Sequence, residues 1–441
     1  MSAITEVSID DFVSASPEWL AELRRDAWKR YGELAYPEGR EEIWRFTDVK
    51  ALHPDNFRLL PPDAPPGAKP RLEALDLSGV ESSGRAVHVD GTTVELQLSD
   101  EAKSKGVVLC DLETAVREHA DLLRPRLGSL VGPDEPHTAL SLAAHHGGTF
   151  LYVPKGVELK EPFQALHWLS VSGALVLPRT VVIVEDGANI VFNDVYDSDT
   201  ISEPTLAAPV TEMFIGANAK VGWVTWQDWG AGCKHLAHVR AHLDRDALLN
   251  TLVVTLGGDY SRTWKECTLA GEGAESYMYG LYFSHGDQRF EHWTLQDHVA
   301  PNTTSDLLYK GALSDSSQAL YYGTIHIRPN ARKSNAYQAN RNLALSSNAR
   351  ALPNPQLEIE NNDVRCTHGA TVGKLSDEHL FYLESRGIPP EEARRLIVFG
   401  FFNQVLDQVT WSGMHERLAD AIRAKMEGQT ATPERSGGAN E

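Results

Sequence analysis

The chain has 441 residues, 42% hydrophobic and 23% charged, enough for two to four domains or one long repeat body with appendages. Its 41 Lys and Arg face 61 Asp and Glu, a formal net charge of −20. That balance excludes the phosphate-neutralising chemistry of non-specific nucleic-acid binding and disfavours an anionic membrane surface as partner.

The first element is a helix opened by Ser16-Pro17, with Trp19, Leu23, Ala27 and Tyr31 on one apolar face. EIWRFTDVK (42–50) follows, and the Pro-rich stretch Pro54 to Pro70 reads as a linker. Short strands at Val87–Val89 and Val94–Leu98 precede a helical run from Leu112 to Leu123 that Pro125 stops. Residues 1–140 are therefore expected to form a mixed, mostly helical N-terminal domain.

From about Thr149 the pattern changes to β-rich runs such as FLYVP, VVIVEDGANIVF and LLNTLVVTL, separated by Gly, Asp or Asn. A turn residue followed by Ala recurs at Gly187-Ala188, Gly216-Ala217, Asp246-Ala247 and Gly273-Ala274, with alanine spacings of 29, 30 and 27. It returns at Gly311-Ala312, Asn330-Ala331 and Asn348-Ala349. A residue tolerant of positive φ, then a small one, suits the corner of a stacked coil. The expectation is a mainly β fold with a parallel β-helix over residues 141–372, capped at its ends.

After His368 the helical period returns. Ser376 caps a helix through Arg386 that buries Leu380, Phe381 and Leu383, and Gly387 stops it. Pro389-Pro390 opens a second helix with Ala393, Leu396, Ile397 and Phe401, and a third carries Leu418, Ile422 and Met426. Residues 373–428 thus form a helical domain, and the tail 429–441, lacking large apolar residues, is expected to be disordered.

The four cysteines, Cys110, Cys233, Cys267 and Cys366, make no CxxC pair and no disulfide framework. MSAITEVSIDDF lacks the pattern of a secretory leader, and no window approaches the ~18 apolar residues of a bilayer span. A cytoplasmic chain with reduced thiols is expected.

The chemistry concentrates between Leu357 and Ile388. In an extended strand Cys366 and His368 project to one side with Val364, a thiol beside an imidazole, both donors that iron, zinc or copper accept. CxH is short, and a half-buried Cys beside a surface His is the competing reading. In CKHLAHVRAH, strand parity separates Cys233 and His235 from His238, Arg240 and His242, which read as a solvated face; His145-His146 also read as structural. GATVGKLS (369–376) has three residues between its glycines and Leu after Lys374, so it is not a phosphate-binding loop. No GxSxG, HExxH or dinucleotide GxGxxG in a strand–turn–helix setting is present.

DVRCTHGATVG followed by LFYLESRGI resembles the C-terminal signature of the SufB/SufD family of iron–sulfur cluster assembly proteins. So do HIRPNARKSNAYQANRNLALS, PQLEI, DHVAPNTTSDLLYKG, the YVPKGV region and WRFTD (44–48). Within the family the chain is most similar to the SufD branch. The SufB branch carries HEAT where this chain has His368-Gly369-Ala370-Thr371, and an essential cysteine at about the position of Ala339. The resemblance implies a right-handed parallel β-helix and a non-enzymatic SufD-like subunit without a nucleotide site. It implies Cys366 and His368 as metal- and cluster-binding residues, holding transient iron or a nascent cluster at an interface shared with a SufB-like scaffold. It further implies a SufC-like ATPase docked on the C-terminal helices. Two ligands fall short of the roughly four a cluster takes, which favours completion by a second polypeptide. The alternatives are a β-helix enzyme acting on polysaccharide and a self-sufficient homodimeric scaffold.

Overall fold

A coil corner must reverse the chain within two or three residues, and the backbone there adopts the left-handed conformation. Gly187, Asn218, Asp246, Gly273, Asn302 and Lys333 all do so, with φ between 56° and 75°. Each donates its N–H to the carbonyl of the corner one coil further on: Ala217, Arg245, Glu272, Pro301, Arg332 and Asp363 in turn. The residue after each is small and sealed, Ala188, Ala219, Ala247 and Ala274 at 0% exposure, then Thr303 and Ser334. The corner ladder is therefore real, but only Gly187-Ala188, Asp246-Ala247 and Gly273-Ala274 of the seven dipeptides belong to it. Gly216-Ala217 falls two residues before the corner at Asn218, and Gly311-Ala312 lies inside the strand Thr304–Leu313. Asn330 and Asn348 occupy other turns without positive φ.

The computed structural model describes residues 8–68, 81–408 and 414–427. Successive strands alternate between two sheets, so each coil adds one strand to a twelve-stranded sheet and one to a ten-stranded sheet. Within the coils every pairing is parallel and in continuous register, as between Thr304–Leu313 and Asn335–Ala344. The fold is a mainly β solenoid with an N-terminal α/β region and C-terminal helices. Its interior is filled by a stack of inward side chains, among them Phe163, Phe192, Trp223, Met278, Leu307 and Tyr321. No helix among the described residues is long and apolar enough to cross a membrane.

Several local expectations change. The helix read from Ser16 spans Glu18–Glu33 with Pro17 as its N-cap; the Ser16 hydroxyl instead donates to the Phe12 carbonyl and accepts from Arg24. The run 112–123 breaks at His119 into Leu112–Glu118 and Ala120–Leu123. Within the Pro-rich stretch, Pro54–Asn56 form a 3-10 turn and Arg58–Leu59 pair in parallel with Ala174–Leu175; its last two residues lie outside the described residues. The tail 429–441 also lies outside them.

The C-terminal helix Asp377–Ser385 is capped by Ser376 as expected, yet it buries no residue, and Phe381 is 72% exposed. The helix Pro390–Leu406 packs through Ala393, Val398, Phe402, Val405 and Leu406, whereas Leu396 is exposed. The helix Met414–Met426 buries Leu418 and Ile422. These two helices close over the outer face of the ten-stranded sheet against Tyr279, Leu281, Leu308, Ala339 and Leu343.

The later coils hold phenols, and neighbouring glycines make room for them. A Cβ on Gly311 would lie 1.9 Å from the ring of Tyr282, a buried residue whose hydroxyl donates to the Asn342 carboxamide at 2.5 Å. Gly311→Ala is expected to cost about 2–3 kcal/mol through overpacking. A denaturant midpoint equal to that of the parent protein would contradict this.

Candidate functional site

Among the described residues, the last strand of the ten-stranded sheet, Arg365–Lys374, pairs only with Asn335–Ala344, and the last strand of the other sheet, Arg350–Ile359, pairs only with Gln318–Ile327. Two ten-residue strands thus end the solenoid with their outer edges unpaired among the described residues. Apolar side chains stand exposed beside those edges: Leu352, Ile359 and Val372.

Cys366 and His368 lie on this terminal strand. Cys366 points into the end of the solenoid, half-buried against Ile325, Ile327, Ala331 and Ala336, with Val364 beside it. Burial pushes its thiol up to about 11. His368, two residues on, faces the same way by strand alternation but lies beyond the packed part of the coil and is exposed. It has no hydrogen-bond or ion-pair partner among the described residues. The two donors therefore share a face at the mouth of the coil, a thiol rooted in apolar contacts and an imidazole free to take a ligand. Continuation of the strand through Lys374 also makes GATVGK extended backbone rather than a phosphate cradle.

The other cysteines do not join them. Cys110, Cys233 and Cys267 are buried, and burial raises their thiols to about 12, 12 and 11. Cys267 lies three strands in from the terminal strand of its sheet, roughly 14 Å at ~4.8 Å per step. Among the described residues no group of three or more His, Cys, Asp or Glu is placed to hold a metal ion. Ala339 lies on the outer face of its strand, packed against the C-terminal helices; the next residue, Asn340, is fully buried and turns inward. Neither brings a thiol to the site.

The parity read for CKHLAHVRAH holds, since Cys233 and His235 are inside, but the opposite face is solvated only in part: the Arg240 and His242 side chains are 36% and 38% exposed, and His238 is covered. His238 is 9% exposed and stacks on Trp264 at 4.1 Å, and Arg240 pairs with Glu266. The N-terminal region covers part of that face, which strand alternation alone does not disclose. His145 and His146 are likewise buried.

Sequence reasoning missed the polar floor beneath the terminal coil. Gln338 sits in register with His368, and Asn340 and Asn342 follow it on the inward face, all three buried. Asn340 donates to the Tyr282 hydroxyl at 3.0 Å, and Asn342 to the Asn340 carboxamide oxygen at 2.6 Å. The signal is the alternation Q-A-N-R-N, which puts three carboxamides on one face of a strand.

Comparisons with known proteins agree with this architecture. The N-terminal region of SufBD proteins matches residues 7–165, and the SufBD core domain of the SUF iron–sulfur cluster assembly system matches residues 167–401. The iron–sulfur cluster assembly protein SufD of Bacillus subtilis is 30% identical over 423 residues, covering 93% of this chain and 94% of its own. A SufBD family protein of Mycobacterium tuberculosis is 29% identical, covering 94% and 96%, and one of Staphylococcus epidermidis is 26% identical, covering 96% and 92%. The chain belongs to the SufBD family of iron–sulfur cluster assembly proteins.

Proposed function

We propose that the open end of the solenoid is one half of a site where a nascent iron–sulfur cluster is built, with the other half supplied by a SufB-like scaffold subunit. The observation that carries this reading is the placement of Cys366 and His368 together at the mouth of the terminal coil, beside two unpaired strand edges. Edges of this kind accept strands from a partner, and the exposed Leu352, Ile359 and Val372 would be covered by the same contact. The pair supplies two donors where clusters usually take about four, so a partner completes the set. His368 takes the role of iron ligand and Cys366 that of auxiliary thiol, whose raised titration makes it wait for a cation or partner before ionising.

The chain would act without turnover of its own and would bind no nucleotide. The helix Asp377–Ser385, which presents Phe381 and Tyr382 to solvent, is the surface offered to a SufC-like ATPase. Co-purification with the sister subunit and ATPase under anaerobic conditions tests the assembly. His368→Ala is expected to lower iron and sulfide retained by the complex by roughly tenfold or more, with an unchanged circular dichroism spectrum. Undiminished iron and sulfide removes His368 from the site. Stoichiometric cluster on the lone chain would favour a homodimeric scaffold instead.

A further inference from the structure

The residue in register with His368 on the neighbouring strand is Gln338, fully buried where a solenoid interior calls for an apolar side chain. Its carboxamide nitrogen donates to the Gly323 carbonyl at 3.0 Å and the Gln356 carbonyl at 3.2 Å, one on each of the last two strands of the opposite sheet. Its oxygen accepts from the Tyr321 hydroxyl at 3.4 Å. Gly323 leaves the space this needs, because a Cβ there would lie 2.2 Å from the Tyr321 hydroxyl oxygen and 2.7 Å from the Gln338 carboxamide oxygen. One side chain thus braces both sheets under the last coil.

The outer face of the same strand is held by the helix Pro390–Leu406. Ala339 and Leu343 pack in one cluster with Val398 and Phe402, and Arg341 donates to Gln404 at 3.1 Å. On the neighbouring strand Lys310 donates to the Phe401 carbonyl at 2.6 Å. The strand Asn335–Ala344 therefore carries the C-terminal helix on one side and Gln338, beside His368, on the other.

We propose that Gln338 is a positioning residue for His368. It fixes the spacing of the two sheets at the open end, so that the imidazole stands at a set place relative to the opposite sheet. Displacement of the C-terminal helix reaches the pair through the same strand. This rests on the reading of His368 given above, and the test separates the two.

Gln338→Met keeps the length and removes both donors; Gly323→Ala leaves Gln338 in place but pushes it aside. In the full chain with isotope-labelled histidine, both variants are expected to move the ring cross-peak of His368, recorded at one fixed pH and assigned by its loss in His368→Ala. In the anaerobic complex with sister subunit and ATPase, Gln338→Met is expected to lower retained iron about fivefold in the parent background and not at all in His368→Ala, the pattern of a residue acting through another. An unmoved cross-peak in both variants, or an equal fractional loss of iron in both backgrounds, overturns the proposal. If His368→Ala itself leaves iron retention intact, the reading of the site fails instead, and the cross-peak alone decides whether Gln338 positions the imidazole.

Discussion

Acidification from pH 7 to pH 5 is expected to lower the thermal midpoint of this protein steeply. Eight histidines are buried and held neutral among the described residues. Burial depresses His88, His145 and His238 well below the usual imidazole value, His137, His235 and His292 to about 3, and His146 and His298 to about 4. In the unfolded chain each titrates near ~6.5, so below that pH the unfolded state binds more protons and stability falls with pH. The contribution is complete above about 6.5 and is lost toward the folded values. Each group costs about 1.4 kcal/mol per pH unit there, and eight together on the order of 10 kcal/mol. Five carboxyls act oppositely: burial raises Glu113, Glu135, Asp197, Asp306 and Asp228, the last to about 6, so on acidification the folded state takes up their protons before the unfolded chain does. Even with all five offsetting in full, three imidazoles remain uncompensated, a net loss on the order of 4 kcal/mol per unit against a whole domain's stability of ~5–15 kcal/mol. Differential scanning calorimetry across this range checks it. A midpoint that stays level between pH 7 and pH 5 would mean these imidazoles are hydrated and protonate in the folded state.

The solenoid and the placement of Cys366 beside His368 were legible because both follow local rules. Corners need positive φ and a small following residue, which leaves a countable spacing, and the period-2 geometry of a strand puts Cys366, His368 and Val364 on one face. What stayed hidden depends on what covers a face. Pro136–Ala144 has every residue buried, so it shows no polar stripe and no helix was read there. His238 reads as solvated on its strand face, yet it is buried where the N-terminal region lies over that face. Phe381 looked like core until its helix was found lying on the surface. The corner at Asn218 was misplaced to Gly216-Ala217 because residues 216–219 read GANA, where Gly-Ala and Asn-Ala both fit the pattern two residues apart and spacing does not choose between them. The resemblance identified Cys366 and His368, but only the register could place Gln338 beside them.

Arg262→Met is expected to be the most destabilising single substitution on the outer face. The guanidinium is fully buried inside three indoles, its carbon 3.8 Å from the ring centre of Trp44, 4.3 Å from Trp264 and 4.6 Å from Trp293. It donates to the Thr47 hydroxyl at 3.0 Å, to Glu291 at 3.2 Å and to the Ile43 carbonyl at 2.8 Å. Two strands of the solenoid are thereby tied to residues 43–47, the segment that reads WRFTD from Trp44, by charge, ring face and backbone together. Taking the cation away leaves the Glu291 carboxyl at 0% exposure without its counter-ion and, among the described residues, with only the Thr47 hydroxyl as donor. A stranded buried charge costs about 3–5 kcal/mol, and each lost cation–π contact adds about 0.5–2 kcal/mol. The same physics says that the pair itself is not the source of stability, since its desolvation offsets most of its attraction. Arg262→Met with Glu291→Met should therefore recover most of the loss, while Glu291→Met alone strands the guanidinium and should be as damaging as Arg262→Met. Denaturant unfolding of the three variants closes the cycle, and limited proteolysis should find cleavage near residues 43–47 in the two singles alone. A single variant within about 0.5 kcal/mol of the parent would show that water reaches Glu291 and that the indole box is packing rather than a lock.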